Sequence, residues 1–165
     1  IVNSVAPEGT VICGDSSQVS YLGTGTFMPQ SEPRRFLYMP TYATLGYGLP
    51  AAIGAKIAAP ELPVLCLLGD GALMFSIQEL VTAVEQQVDI TIVCVDNGGY
   101  REIRQNMLDR QITPVGVDLT QPDWVSLAKA FGLVAFRADH VDELSGALAE
   151  ALAVSGPSFV HLRLN

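Results

Sequence analysis

Pro63-Val64-Leu65-Cys66-Leu67-Leu68-Gly69-Asp70-Gly71, followed by Ile90-Thr91-Ile92-Val93-Cys94-Val95-Asp96-Asn97-Gly98-Gly99-Tyr100, is the part of the chain that decides the fold. Each stretch begins as an unbroken apolar run of strand length, the pattern of a strand covered on both faces. Each then breaks into glycines and oxygen donors. Between them, Ile77 to Gln87 has helical period, with Leu80, Val81 and Val84 on one face and Glu79 and Gln86 off it. Parallel strands require a crossover of this length.

The same alternation extends outward in both directions. Thr10 to Cys13 and Arg35 to Tyr38 read as strands, and Gly48 to Ala59 as a helix of small residues. Asp123 to Phe131 reads as a helix with an acidic N-cap, ended by Gly132. Leu133 to Arg137, Val141 to Val154 and Ser158 to Leu164 complete a strand–helix–strand ending. Met107 to Pro122 lacks periodicity, holds two prolines and reads as a long functional loop. The expected fold is α/β, a three-layer, mostly parallel sheet with helices on both faces. No boundary divides residues 1–165, so a single domain is expected. The chain opens at Ile1 rather than Met, which points to a fragment, a processed chain or an excised domain.

Composition narrows the function. With 49% apolar and 16% charged residues the chain has the makeup of a buried globular domain. Nine Lys and Arg against a net charge of −8 argue against a nucleic-acid partner. No apolar run reaches the roughly 18 residues of a membrane span, and no signal peptide opens the chain. Cys13, Cys66 and Cys94 form no CxxC pair and sit in apolar runs, as reduced buried thiols do, which suggests a cytoplasmic location.

The chemistry lies at the ends of the two central runs, because open α/β sheets bind ligands at the carboxyl ends of their strands. Gly69 and Gly71 let backbone approach a ligand closely, and Asp70 offers a hard anionic oxygen. Asn97 offers a neutral amide oxygen 26 positions after Gly71. Mg²⁺ takes a few such oxygens and completes its octahedron with water and phosphate oxygens. A generic nucleotide domain fits less well, since neither G-x-x-x-x-G-K-[ST] nor G-x-G-x-x-G occurs.

Gly69-Asp70-Gly71 followed by Asp96-Asn97 resembles the cofactor signature of thiamine-diphosphate enzymes. Tyr42 to Ala55 is similar to the G-x-x-G-x-G-L-P-A-A-I-G-A block of acetolactate synthase, benzoylformate decarboxylase and pyruvate-type decarboxylases. The likeness covers Val11 to Leu164 and corresponds to their carboxy-terminal, diphosphate-binding part. It implies thiamine diphosphate and Mg²⁺ as cofactors, with Asp70, Asn97 and the Gly99 carbonyl as metal ligands. It implies that Gly69, Gly71, Ala72 and Leu73 turn into a helix whose N–H groups face the diphosphate. It makes Leu45 the apolar wedge that keeps the cofactor bent, and the Ala43 carbonyl the acceptor for its amino group. Ser16, Ser17 and Gln18 fall at the phosphate end, and Tyr100 beside the metal. Two positions depart from the pattern. Asp96 replaces the usual first Asn and is expected to turn toward its own turn's N–H groups rather than to the metal. Ile103 stands where some pyruvate-type decarboxylases carry a Glu, the nearest acid being Glu102.

The resemblance implies decarboxylation of a 2-oxo acid, followed by protonation or carboligation. The activating Glu of such enzymes lies in an amino-terminal pyrimidine-binding domain, usually of a partner subunit, and no segment here matches it. The chain is therefore expected to be inactive alone and to work within a homo-oligomer. The run Gly99 to Arg104, the Asp15-Ser16-Ser17-Gln18 loop and Pro114 to Leu119 are closest to decarboxylases of basic 2-oxo acids such as 5-guanidino-2-oxopentanoate. Alternatives are a separate subunit of a two-chain decarboxylase and a non-catalytic module that keeps the fold. Tyr100, Arg101, Glu102 and Arg104 open a helix that either lines the substrate entrance or forms a solvated face. His140 and His161 read as structural, Trp124 and Phe131 as core, and Met74 as packing beneath the Gly69–Gly71 turn. Glu79 reads as a helix-start acid or an active-site one.

Overall fold

The computed structural model describes residues 1–164. In chain order its elements are α1 (Val2–Val5), β1 (Val11–Gly14), a π-helical segment (Val19–Thr24), α2 (Gly25–Phe27), β2 (Phe36–Leu37), α3 (Gly48–Ala58) and β3 (Val64–Gly69). There follow α4 (Asp70–Leu73), α5 (Glu79–Glu85), β4 (Ile90–Asp96), α6 (Arg101–Asp109) and α7 (Trp124–Phe131). The chain ends with β5 (Val134–Ala138), a 3₁₀ turn (Val141–Glu143), α8 (Leu144–Leu152) and β6 (Ser158–Arg163).

The six strands form one sheet in the order β2-β1-β3-β4-β6-β5, and every pairing is parallel. β3 and β4 occupy its middle, which is why their sequences do not alternate: both faces of both strands are covered. On one face Cys66, Leu68, Ile92, Cys94 and Phe159 pack against Leu49 of α3, Leu80 of α5 and Trp124 of α7. On the other, Leu65, Leu67, Val93 and Val160 pack against Leu144 and Leu148 of α8. The expected three layers are present. No helix among the described residues is long and apolar enough to cross a membrane.

Local signals explain several element ends. Asp123 caps α7 by accepting from the Ser126 N–H at 3.2 Å and the Ser126 hydroxyl at 2.7 Å. Gly132 ends the helix at φ +101°, a conformation that needs glycine. Other expectations need correction. Val81 is 42% exposed, because Leu80 and Ala83 form the inward seam of α5 and an alanine adds little to a hydrophobic pattern. Met74 is 49% exposed: α4 is a single turn whose core position is taken by Leu73, leaving the next side chain facing out. The expected loop from Met107 begins later, since α6 runs on to Asp109. Its remainder folds back over the glycines, with the Tyr100 N–H on the Val117 carbonyl (2.9 Å) and the Leu119 N–H on the Gly98 carbonyl (3.2 Å).

Leu65 lies in the middle of the sheet with no exposed surface. Leu65→Ala removes buried methyl groups where surrounding strands cannot collapse, and is expected to cost about 3 kcal/mol. Urea unfolding should show a lower midpoint at unchanged slope. A cost below about 1 kcal/mol would show that this layer is loosely packed.

Candidate functional site

β1 has β2 on one side and β3 on the other, so the chain changes direction between β1 and β3. Such a switch point leaves a crevice at the carboxyl ends of the strands. The crevice is lined by Ser16, Ser17 and Gln18 after β1, by Leu45, by Gly69 to Ala72 after β3, and by Asn97, Gly99 and Tyr100 after β4. Eleven residues that the sequence assigns to cofactor and metal therefore meet in one cavity. Two stand apart: Ala43 is exposed outside the lining, and the Leu73 side chain is buried in the core.

Asp70 is 2% exposed. Burial pushes its carboxyl pKa up; the Gly71 N–H opposes this, and the charge of Asp96 adds to it. Its Oδ2 accepts from Gln121 Nε2 at 2.7 Å, while Gln121 Oε1 accepts from the Trp124 indole N–H at 3.1 Å. This chain of contacts, from a core indole through an amide to the carboxylate, is absent from the sequence reading. Gln121 lies 51 residues beyond Asp70 in a segment without a motif. Asn97 Oδ1 and Ser16 Oγ are buried acceptors with no hydrogen-bond partner among the described residues. A buried polar atom left this way costs about 1–3 kcal/mol unless a ligand completes it.

The glycines leave room where side chains cannot fit. A Cβ on Gly71 would stand 2.7 Å from the Tyr100 ring. Gly99 has φ +126°, and a Cβ there would strike the Val117 carbonyl. Asp96 behaves as expected: its Oδ1 accepts from the Gly98 N–H at 3.0 Å. Its Oδ2 lies 3.0 Å from His161 Nε2, a buried pair that gives His161 its structural place. Glu79 accepts from the Thr82 hydroxyl at 2.8 Å in the first turn of α5 and lies outside the cavity lining.

At the mouth, Gln18 Nε2 donates to Glu102 Oε2 at 2.6 Å, joining the β1 loop to α6. Arg101 Nε donates to the Asn97 carbonyl at 2.6 Å, and Arg104 pairs with Asp118 at 3.0 Å. Of these helix residues, Arg101, Glu102 and Ile103 line the cavity.

Asp15 is the second residue missed by sequence reasoning. It is wholly buried at the end of β1 and accepts backbone N–H bonds from Ser16 (2.8 Å), Gly46 (3.1 Å) and Gly48 (2.8 Å). Burial pushes its pKa up, and those N–H groups oppose the shift. The contact ties residues 46–48 to β1 and so sets the position of Leu45. Gly46 has φ +90°, a conformation that favours glycine, and a Cβ on Gly48 would crowd the Asp15 backbone at 3.1 Å.

A parallel sheet with a glycine-framed, oxygen-lined crevice at its switch point defines a domain that binds a phosphorylated cofactor through a metal. The chain belongs to the family of thiamine pyrophosphate enzymes, matching the C-terminal TPP binding domain over residues 11–162. It is 36% identical over 163 residues to a probable 2-ketoarginine decarboxylase of Pseudomonas aeruginosa, covering 98% of this chain and 29% of that protein. It is 32% identical over 170 residues to the large subunit of acetolactate synthase isozyme 1 of Escherichia coli, covering 100% of this chain and 30% of that one. Among solved structures, the thiamine diphosphate-dependent 4-hydroxybenzoylformate decarboxylase of Rhodococcus jostii superposes with a TM-score of 0.88 at 30% identity. That match covers 99% of this chain and 31% of the other. The chain thus spans about 30% of the length of the relatives it matches.

If Asp15 holds the Leu45 loop, Asp15→Ala should destabilise the protein by about 1–3 kcal/mol and expose the Gly46 and Gly48 amides to hydrogen exchange. Unchanged protection of those two amides would disprove the tether.

Proposed function

We propose that this chain is the diphosphate- and Mg²⁺-anchoring domain of an enzyme that decarboxylates a 2-oxo acid. The observation that carries the reading is the buried, unpartnered Asn97 Oδ1 beside the buried Asp70 carboxylate, at neighbouring strand ends. A hard divalent cation satisfies both at once, supplying the missing partner and neutralising the charge that burial opposes. Asp70 and Asn97 would hold the metal with the Gly99 carbonyl, and Ser16, Ser17 and Gln18 would meet the phosphate end. Leu45 would support the bend between the cofactor rings, with the Ala43 carbonyl at its amino group.

When bound, thiamine diphosphate supplies the carbon nucleophile and the electron sink for loss of CO₂. The chain's own residues bind and orient. Gln121, braced by Trp124, holds one carboxylate oxygen of Asp70 in place and so aims the other. Tyr100 packs over Gly71 and shields the metal end from water. Arg101 steadies the Asn97 turn through its carbonyl. The acid that activates the cofactor would come from a pyrimidine-binding domain or subunit elsewhere in the assembly, in a homo-oligomer of the cytoplasm. The three free, buried thiols favour that compartment. A basic 2-oxo acid is the favoured substrate, because the Pseudomonas relative is described as a probable 2-ketoarginine decarboxylase; Glu102, hydrogen-bonded to Gln18 and Asn106, lies in the cavity lining.

Calorimetry with Mg²⁺ and thiamine diphosphate, with the companion domain supplied, should show metal-dependent binding that Asp70→Ala abolishes. Gln121→Ala should weaken metal affinity about tenfold while the protein stays folded. Metal-independent binding, or full binding by Asp70→Ala, would refute the anchor. The 165-residue chain alone should show no turnover of 2-oxo acids, and steady CO₂ release from it would overturn the division of labour proposed here.

A further inference from the structure

The carboxyl ends of β4, β5 and β6 border a second cavity, of about 420 Å³, next to the 96–98 turn. Three arginines from three different elements line it: Arg101 at the start of α6, Arg137 on β5 and Arg163 at the end of β6. They are a third of the nine basic residues in a chain of net charge −8. The sheet brings two of them together. Arg137 stands in register with His161, Arg163 stands in register with Asp96, and His161 and Arg163 are two apart on one strand. All four side chains therefore project from one face.

Among the described residues Asp96 is the one carboxylate in the lining, and the fold already engages it on both oxygens, through the Gly98 N–H and His161. Arg101 uses Nε on the Asn97 carbonyl, and Arg137 uses Nε on Asp139 at 2.8 Å. The terminal edge of a guanidinium carries the paired donors that grip a carboxylate or phosphate through two parallel bonds. Arg137 is already ion-paired with Asp139, and the guanidinium charge left along the lining favours an anion. The volume lies within the roughly 300–1,000 Å³ of small-molecule sites, and the position is the strand end at which parallel sheets bind ligands.

We propose that this cavity is a second, metal-independent site, and that it binds a small free oxyanion, a carboxylate or phosphate compound, between Arg101, Arg137 and Arg163. Acidic side chains from another part of a longer protein carry the same chemistry, so the test separates the two sources. In the intact protein that carries this chain, with divalent metal removed, calorimetric titration with inorganic phosphate and with succinate should give saturable, salt-sensitive binding of at least one. The double variant Arg137→Gln/Arg163→Gln should weaken it about tenfold or more, with melting temperature and Mg²⁺-dependent cofactor binding as in the wild type. Absence of anion binding by the wild type overturns the proposal. If the double variant then also melts earlier, the arginines hold an internal carboxylate instead. Equal binding by wild type and variant overturns it as well, by placing the anion elsewhere.

Discussion

Gly69 at the end of β3 stands in register with Val95 near the end of β4, and the arrangement of the site depends on that alignment. Parallel pairing sends both strands out of the sheet on the same side, so Asp70 and Asn97 emerge as neighbours although a full helical crossover separates them. The alignment is held by burial. Every residue of β4 and nearly every one of β3 is covered on both faces, so slipping by one position would exchange two complete sets of core contacts. A packed sheet is thus what keeps two oxygen donors at a fixed separation.

The electrostatics follow from where those strands end. Asp15, Asp70 and Asp96 are all buried near the same strand ends. Each is compensated differently: Asp15 by backbone N–H groups of its own and the Gly46–Gly48 segment, Asp96 by Gly98 and His161, Asp70 by Gln121. Asp15 and Asp96 are engaged on both oxygens and act as fasteners of loops. Asp70 accepts a side-chain hydrogen bond from Gln121 at one oxygen, with the Gly71 N–H also favouring its charged form, and it stands at a strand end neighbouring that of the unpartnered Asn97 oxygen. The three buried carboxylates thus differ in their partners, not in residue type.

Much of the fold was legible because its signals are local. Unbroken apolar runs announced the central strands, Asp123 and Gly132 announced the ends of α7, and the glycines around Asp70 and Asn97 announced the crevice. Sequence reasoning failed where the geometry of packing decides, whether the neighbour is near or far along the chain. Val81 looked apolar enough for the core, yet Ala83 sits closer to the seam. Met74 looked like packing material, yet a one-turn helix points it outward. Gln121 lies in the long loop and Asp15 opens the Ser16–Gln18 stretch, yet nothing local reveals their roles, because each acts through a contact made more than 30 residues away.

By itself, the sequence determined the strand and helix order, the parallel sheet, the family and most of the residues that line the crevice, since each is written in short-range pattern or in motif spacing. The tertiary structure alone decided which carboxylates are already satisfied, what braces Asp70, what holds the Leu45 loop, and that three arginines line one cavity. Those outcomes depend on which backbone and side-chain groups arrive at the same point in space, and strand order and register set that, not proximity along the chain.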